Sequence, residues 1–153
     1  MLFLLFQLGE DRYALEAGRV AEVLPLVAVT AIPQAPEGVA GLLNYRGAPV
    51  PAIDLSQLTI GRPARRRLNT RVILVHLPEA DGETRLLGLI AERVTETVRR
   101  DPADFVTSGV TSDRAPYLGR VATDERGLVH WIDVEKLLPH AVRVALFAPA
   151  RER

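Results

Sequence analysis

The chain of 153 residues contains no cysteine, which excludes a disulfide scaffold, a thiolate zinc site and a cysteine nucleophile, and is compatible with a reducing cytoplasm. It also lacks net charge. Nineteen basic residues balance nineteen acidic ones, so no long-range field draws in nucleic acid or an anionic membrane, and partners must be recognised locally. Eighteen of the basic residues are arginine; this favours planar, multi-donor contacts, although a codon bias gives the same count. No hydrophobic run is long enough to span a bilayer. Met1 to Leu8 is apolar but short, without a positive flank or a small-residue cleavage site, and it reads as a buried strand.

Recognisable catalytic chemistry is missing as well. His76 and His130 lie among apolar neighbours on predicted strands, His140 follows a proline, and each stands alone as a candidate base or metal ligand. The three serines, Ser56, Ser108 and Ser112, lie outside any Gly-x-Ser-x-Gly elbow, and no glycine loop is built to cradle phosphate. Asp54 and Asp133 read as helix caps rather than a paired acid and base. The expectation is a non-enzymatic protein with no cofactor and no metal site. The densest positive feature, Arg62, Arg65, Arg66, Arg67 and Arg71, could touch phosphates, which leaves a small nucleic-acid-binding β-barrel as the alternative. No aromatic residue interleaves with these arginines for base stacking, so the segment reads as a solvated linker opened by Gly61 and Pro63.

What the chain does contain is a 48% share of hydrophobic residues, enough for one ordinary domain or two small subdomains folded together. Strand-length runs dominate: Leu2 to Leu8, Arg12 to Glu16, Val39 to Tyr45, Ala48 to Ile53, Val72 to Leu77, Leu86 to Ala91, Leu118 to Ala122 and Leu128 to Ile132. Gly9, Gly47, Gly82 and Gly127 punctuate them, predicting a mostly β protein. Short helices are expected at Asp54 to Leu58 and Asp133 to Leu138, each opening on a capping aspartate. The tail from Ala141 to Phe147 fits a strand or a helix equally.

The two halves resemble each other. Tyr13-Ala-Leu15 and Val20-Ala-Glu22 recur 74 residues later as Leu87-Gly-Leu89 and Val94-Thr-Glu96, while Ile53-Asp54-Leu55 recurs 79 residues later as Ile132-Asp133-Val134. Two similar small barrels, each too small to be very stable alone, should therefore pack together.

The segment Gly41-Leu-Leu-Asn44-Tyr45-Arg46-Gly47-Ala-Pro-Val50-Pro51-Ala-Ile53-Asp54-Leu55 resembles the signature of the CheW-like domain family. In that signature a strand ends in Asn-Leu-Arg-Gly, turns, and returns through Val-Pro-x-x-Asp-Leu into a short helix. The resemblance extends upstream through Phe6-x-Leu8-Gly9, Tyr13-Ala-Leu15 and Val20-Ala-Glu22-Val23. Downstream it continues through Leu87 to Val94 and Ile132 to Leu138. The departures are Tyr45 in place of leucine, Glu92 in place of aspartate, and the arginine cluster.

The resemblance implies a single CheW-like domain over 1–140 with a tail over 141–153, the domain being two packed SH3-like five-stranded β-barrel subdomains with short helices. It implies a non-catalytic adaptor in the cytoplasm, associated with membrane receptor arrays but not inserted in the membrane. Such an adaptor couples the cytoplasmic tip of a methyl-accepting chemoreceptor to the regulatory domain of a CheA-type histidine kinase. The partner-binding residues it implies are Val20, Glu22, Asn44, Arg46, Gly47 and Val94, the last as the second-repeat equivalent of Val20. Arg46, at a strand end beside Leu42, Leu43 and Val50, needs an acceptor, and Glu22 is an acid set in an apolar strand; apart from the resemblance, Arg46 reads more readily as a surface arginine ahead of a turn.

Overall fold

Leu2–Leu8 forms β1 and turns back into β2 (Asp11–Glu16). A computed structural model of the chain, describing residues 1–79, 82–109 and 115–147, continues with β3 (Val20–Pro25), β4 (Val29–Thr30), β5 (Val39–Tyr45), β6 (Ala48–Asp54) and helix α1 (Leu55–Ile60). Next come β7 (Arg71–Pro78), β8 (Thr84–Arg99), β9 (Val106–Thr107), β10 (Leu118–Asp124), β11 (Gly127–Ile132) and helix α2 (His140–Phe147). Every apolar run read from the sequence lies on a strand. Ser112 and the end of the tail, 148–153, lie outside the described residues.

Two elements differ from expectation, and a third is one the sequence leaves open. The run at Leu86 to Ala91 is the middle of a strand sixteen residues long, β8. The second short helix is reduced to a single 3₁₀ turn at Val134–Lys136, capped by Asp133 Oδ1 accepting from the Glu135 N–H at 3.2 Å; Pro139, which has no N–H, prevents a longer helix. The ambiguous tail is helical from His140 to Phe147, its first turn closed by the N–H groups of Val142 and Arg143 on the Pro139 carbonyl. Asp54 caps α1 as expected, accepting from the Gln57 N–H at 3.1 Å.

The repeat is visible in the strand registers. In the hairpin of β1 and β2, Leu5 faces Ala14; in that of β7 and β8, Leu74 faces Gly88. β6 runs parallel to β8 with Ala52 opposite Gly88, and β11 runs parallel to β2 with Trp131 opposite Ala14. Glu22 faces Leu74 as Glu96 faces Leu5. Even the irregularity between Val39 and Gly41 in β5 recurs between Leu118 and Arg120 in β10.

These pairings show that the repeats exchange strands. The hairpin of β1 and β2 belongs to a sheet completed by the C-terminal half of β8 and by β9, β10 and β11. The hairpin of β7 and the N-terminal half of β8 is completed by β3, β4, β5 and β6. Each unit thus has five strands of ordinary length and one two-residue edge strand, and β8 is long because it serves both. The irregularity that lets it do so lies between Glu92 and Glu96, where Arg93 adopts φ +48°.

Both faces of the central strands are buried, which is why they read as continuous apolar runs rather than alternating ones. Phe3 and Leu5 of β1 point into one unit with Ala14, Phe105, Ala122, Val129 and Trp131. Val72 and Leu74 of β7 point into the other with Leu43, Val50, Ala52 and Ile90. The alternate residues, Leu4, Phe6 and Leu8 with Ile73, Val75 and Leu77, meet in a third cluster that joins the units. Close backbone approach is enforced at Gly41 (φ +144°), where any Cβ would run into the Thr30 carbonyl oxygen.

Candidate functional site

Asn44, Arg46 and Gly47 lie at the exposed end of the hairpin of β5 and β6. Its two-residue turn has φ +51° at Arg46 and +86° at Gly47, the combination of a type I′ turn, whose twist matches that of the strands. Asn44 Oδ1 accepts from the Gly47 N–H at 2.8 Å. Asn44 and Gly47 therefore build the turn and project Arg46 outward.

Glu22 meets this turn from β3. Arg46 Nη2 stands 3.1 Å from Glu22 Oε1, and the Tyr45 hydroxyl donates to the same oxygen at 2.7 Å. The Arg46 guanidinium also lies 5.0 Å from the Tyr45 ring centroid, within cation–π range. The Glu22 carboxylate holds the Tyr45 phenol above its ordinary pKa, assisted by burial and opposed by Arg46. Glu22 and Arg46 are not on neighbouring strands: β7, β8 and β6 separate β3 from β5 along the sheet. The cluster therefore ties together strands that share no backbone hydrogen bonds. It is also exposed, with 75% of the Arg46 side chain and 36% of the Glu22 side chain accessible.

Val20, at the start of β3, is half-buried beside the shared core. Val94 departs from expectation. It is 2% exposed and belongs to that core, because the β8 irregularity turns its side chain inward while its N–H donates to the Asn69 carbonyl at 3.0 Å. Its equivalence to Val20 in the sequence repeat does not extend to accessibility. Tyr45, set aside in the sequence as a departure, supplies the shortest contact to Glu22; its signal was a phenol immediately before the arginine.

A second acid and arginine pair occupies the corresponding place in the other unit, where Arg126 Nη2 lies 3.3 Å from Glu96 Oε1. Beside it a tighter network closes the hairpin of β10 and β11. Asp124 receives Arg12 Nη1 at 2.9 Å, Arg12 Nη2 at 2.5 Å and Arg100 Nη2 at 2.6 Å. These contacts, the Arg12 hydrogen bond foremost, hold the Asp124 carboxyl well below the usual carboxylate range.

Among the described residues no three His, Asp or Glu side chains converge as metal ligands, and no helix is long and apolar enough to cross a membrane. His76 is exposed, and His130 stacks on Tyr13 with ring centroids 5.2 Å apart.

Residues 2–142 match the CheW-like domain. A chemotaxis protein CheW of Klebsiella aerogenes is 32% identical over 89% of this chain and 80% of its own length. One from Rhizobium meliloti is 26% identical over 92% of this chain and 88% of its own length. The crystal structure of the scaffolding protein TtCheW from Thermoanaerobacter tengcongensis superposes with a TM-score of 0.79 at 26% identity, covering 92% of this chain and 89% of the other. The two strand-exchanged units are accordingly the SH3-like β subdomains of that fold, and the chain belongs to the CheW-like domain family.

Proposed function

We propose that this chain is a non-catalytic chemotaxis scaffold that couples a methyl-accepting receptor to a CheA-type histidine kinase, with residues 1–140 acting as one docking domain. The observation that carries the site assignment is the exposed cluster of Glu22, Tyr45 and Arg46 on the segment that bears the family signature. A turn that fixes an arginine in water, with its acceptor on another strand, presents a preorganised charged and aromatic surface for a protein partner. Val20 flanks this surface, whereas Val94 lies in the shared core.

By this reading the protein works in the cytoplasm beside receptor arrays and contributes no phosphoryl chemistry of its own. The chemotaxis relatives lend no support to nucleic-acid binding through Arg62 to Arg71. The test is co-sedimentation of the purified chain with a receptor signalling fragment and a CheA-type regulatory domain. Capture of both partners is expected, and capture of neither overturns the proposal.

A further inference from the structure

We infer that residues 62–71 form a rigid strap that docks an acidic peptide segment, bearing apolar side chains, from a protein partner. The strap is not the loose linker its composition suggests. The Ala64 N–H donates to Asp54 Oδ2 at 3.0 Å, the Arg65 N–H to Glu92 Oε2 at 2.6 Å, and the Arg67 N–H to Thr70 Oγ1 at 3.1 Å. Glu92 is only 6% exposed, so its carboxylate is committed to holding the strap. The Asn69 carbonyl, in turn, accepts from the Val94 N–H.

With the backbone stitched inward, the side chains of Arg65, Arg66, Arg67 and Arg71 are exposed. Arg93, beside the strap in the β8 irregularity, is exposed too. No carboxylate among the described residues pairs with any of these five. Six arginines elsewhere, Arg12, Arg19, Arg46, Arg100, Arg126 and Arg143, hold carboxylates, and Arg120 lies over the Trp131 ring; Arg99, exposed on β8, is a further arginine without an ion pair among the described residues. Five guanidinium groups without carboxylate partners are thus gathered on one held surface of a neutral protein, and Leu68 stands fully in water in their midst.

The chemistry of this surface selects the partner. Guanidinium forks match carboxylates, and Leu68 needs an apolar counterpart, so an acidic segment with interspersed apolar residues satisfies both. No aromatic side chain in the strap offers a stacking platform for nucleic-acid bases. One leucine is far short of the apolar area that anchors a protein to a bilayer. Holding the strap in advance lowers the ordering cost of binding.

The test is fluorescence anisotropy of a fluorescein-labelled synthetic peptide of glutamate pairs alternating with leucine, titrated with the full chain at low and physiological salt. Saturable, salt-weakened binding is expected. Arg65→Ser, Arg66→Ser and Arg67→Ser together should weaken it by about tenfold or more, and Leu68→Ser by about fivefold. Glu92→Ala separates rigidity from charge. It makes the chain more positive, so simple electrostatics predicts tighter binding, whereas loss of the strap's anchor predicts weaker binding; a thermal melt verifies that the variant is folded. Undiminished affinity in the triple variant overturns the inference. So does preferential binding of the chain to phosphatidylglycerol vesicles or to a random oligonucleotide over the peptide.

Discussion

Glu22 and Tyr45 are joined more tightly than Glu22 and Arg46: the phenol donates to Glu22 Oε1 at 2.7 Å, while the guanidinium lies 3.1 Å from the same oxygen. The tyrosine therefore fixes the carboxylate, and the arginine completes the cluster at its most exposed edge. This arrangement separates what Arg46 does for the fold from what it does for a partner.

Arg46→Glu should cost little stability, because an exposed ion pair contributes about 0 to 1 kcal/mol and the Arg46 side chain is 75% accessible. Coupling should be lost in a reconstituted receptor and kinase assay, since the docking surface changes sign. The double change Glu22→Arg with Arg46→Glu restores the pair but deprives the Tyr45 hydroxyl of its acceptor, so stability should recover in part and coupling hardly at all. Full coupling by Arg46→Glu would reduce the arginine to a turn residue.

Gly47→Ala tests the turn. A Cβ there meets no atom within 4 Å, so any cost comes from backbone conformation alone, about 1 to 2 kcal/mol for an L-residue held at positive φ. Denaturant unfolding should show that loss without a change in m-value.

Asp124→Asn should lower stability at neutral pH by about 1.5 to 3 kcal/mol, the range for hydrogen bonds to charged groups. Because Arg12 and Arg100 depress the folded-state pKa of Asp124, the wild-type stabilisation is present above the unfolded value of about 4 and is lost as pH falls through the folded value. Melting curves on acidification should fall less steeply for the asparagine variant.

At the alkaline end the sign reverses. Burial, reinforced by Asp11 and Tyr117, pushes the Tyr13 phenol up to about 12, whereas an unfolded tyrosine ionises at about 10. The folded state keeps its proton longer, so the contribution of Tyr13 to stability is full below about pH 10 and is lost as pH rises towards the folded value. Tyrosinate absorbance should show a delayed component that Tyr13→Phe removes.

Phe3→Ala probes the strand exchange. Phe3 packs edge-on against Trp131 with ring centroids 4.9 Å apart, although one lies at the N-terminal end of the chain and the other on β11. The substitution should cost about 3 to 5 kcal/mol and shift the emission of the single tryptophan to the red. An unchanged spectrum would mean that β1 does not belong to the C-terminal sheet.

By itself the sequence determined which stretches become strands, because both-face burial demands runs such as Leu2 to Leu8 and Val72 to Leu77, and it determined the caps at Asp54 and Asp133, which depend on neighbours two or three residues away. Its internal repeat marked equivalent positions, and its central segment marked the exposed turn. Tertiary structure alone decided which repeat each strand completes, since equivalent strands carry equivalent patterns and only packing of the shared core selects the exchanged pairing. It also sent Val94 inward: between Glu92 and Glu96 the strand carries two more residues than β1 opposite it, with Arg93 at positive φ, and no local periodicity announces that irregularity. The arginine strap was visible as composition, but its rigidity was not, because its anchors, Asp54 and Glu92, come from strands on either side of it in the chain.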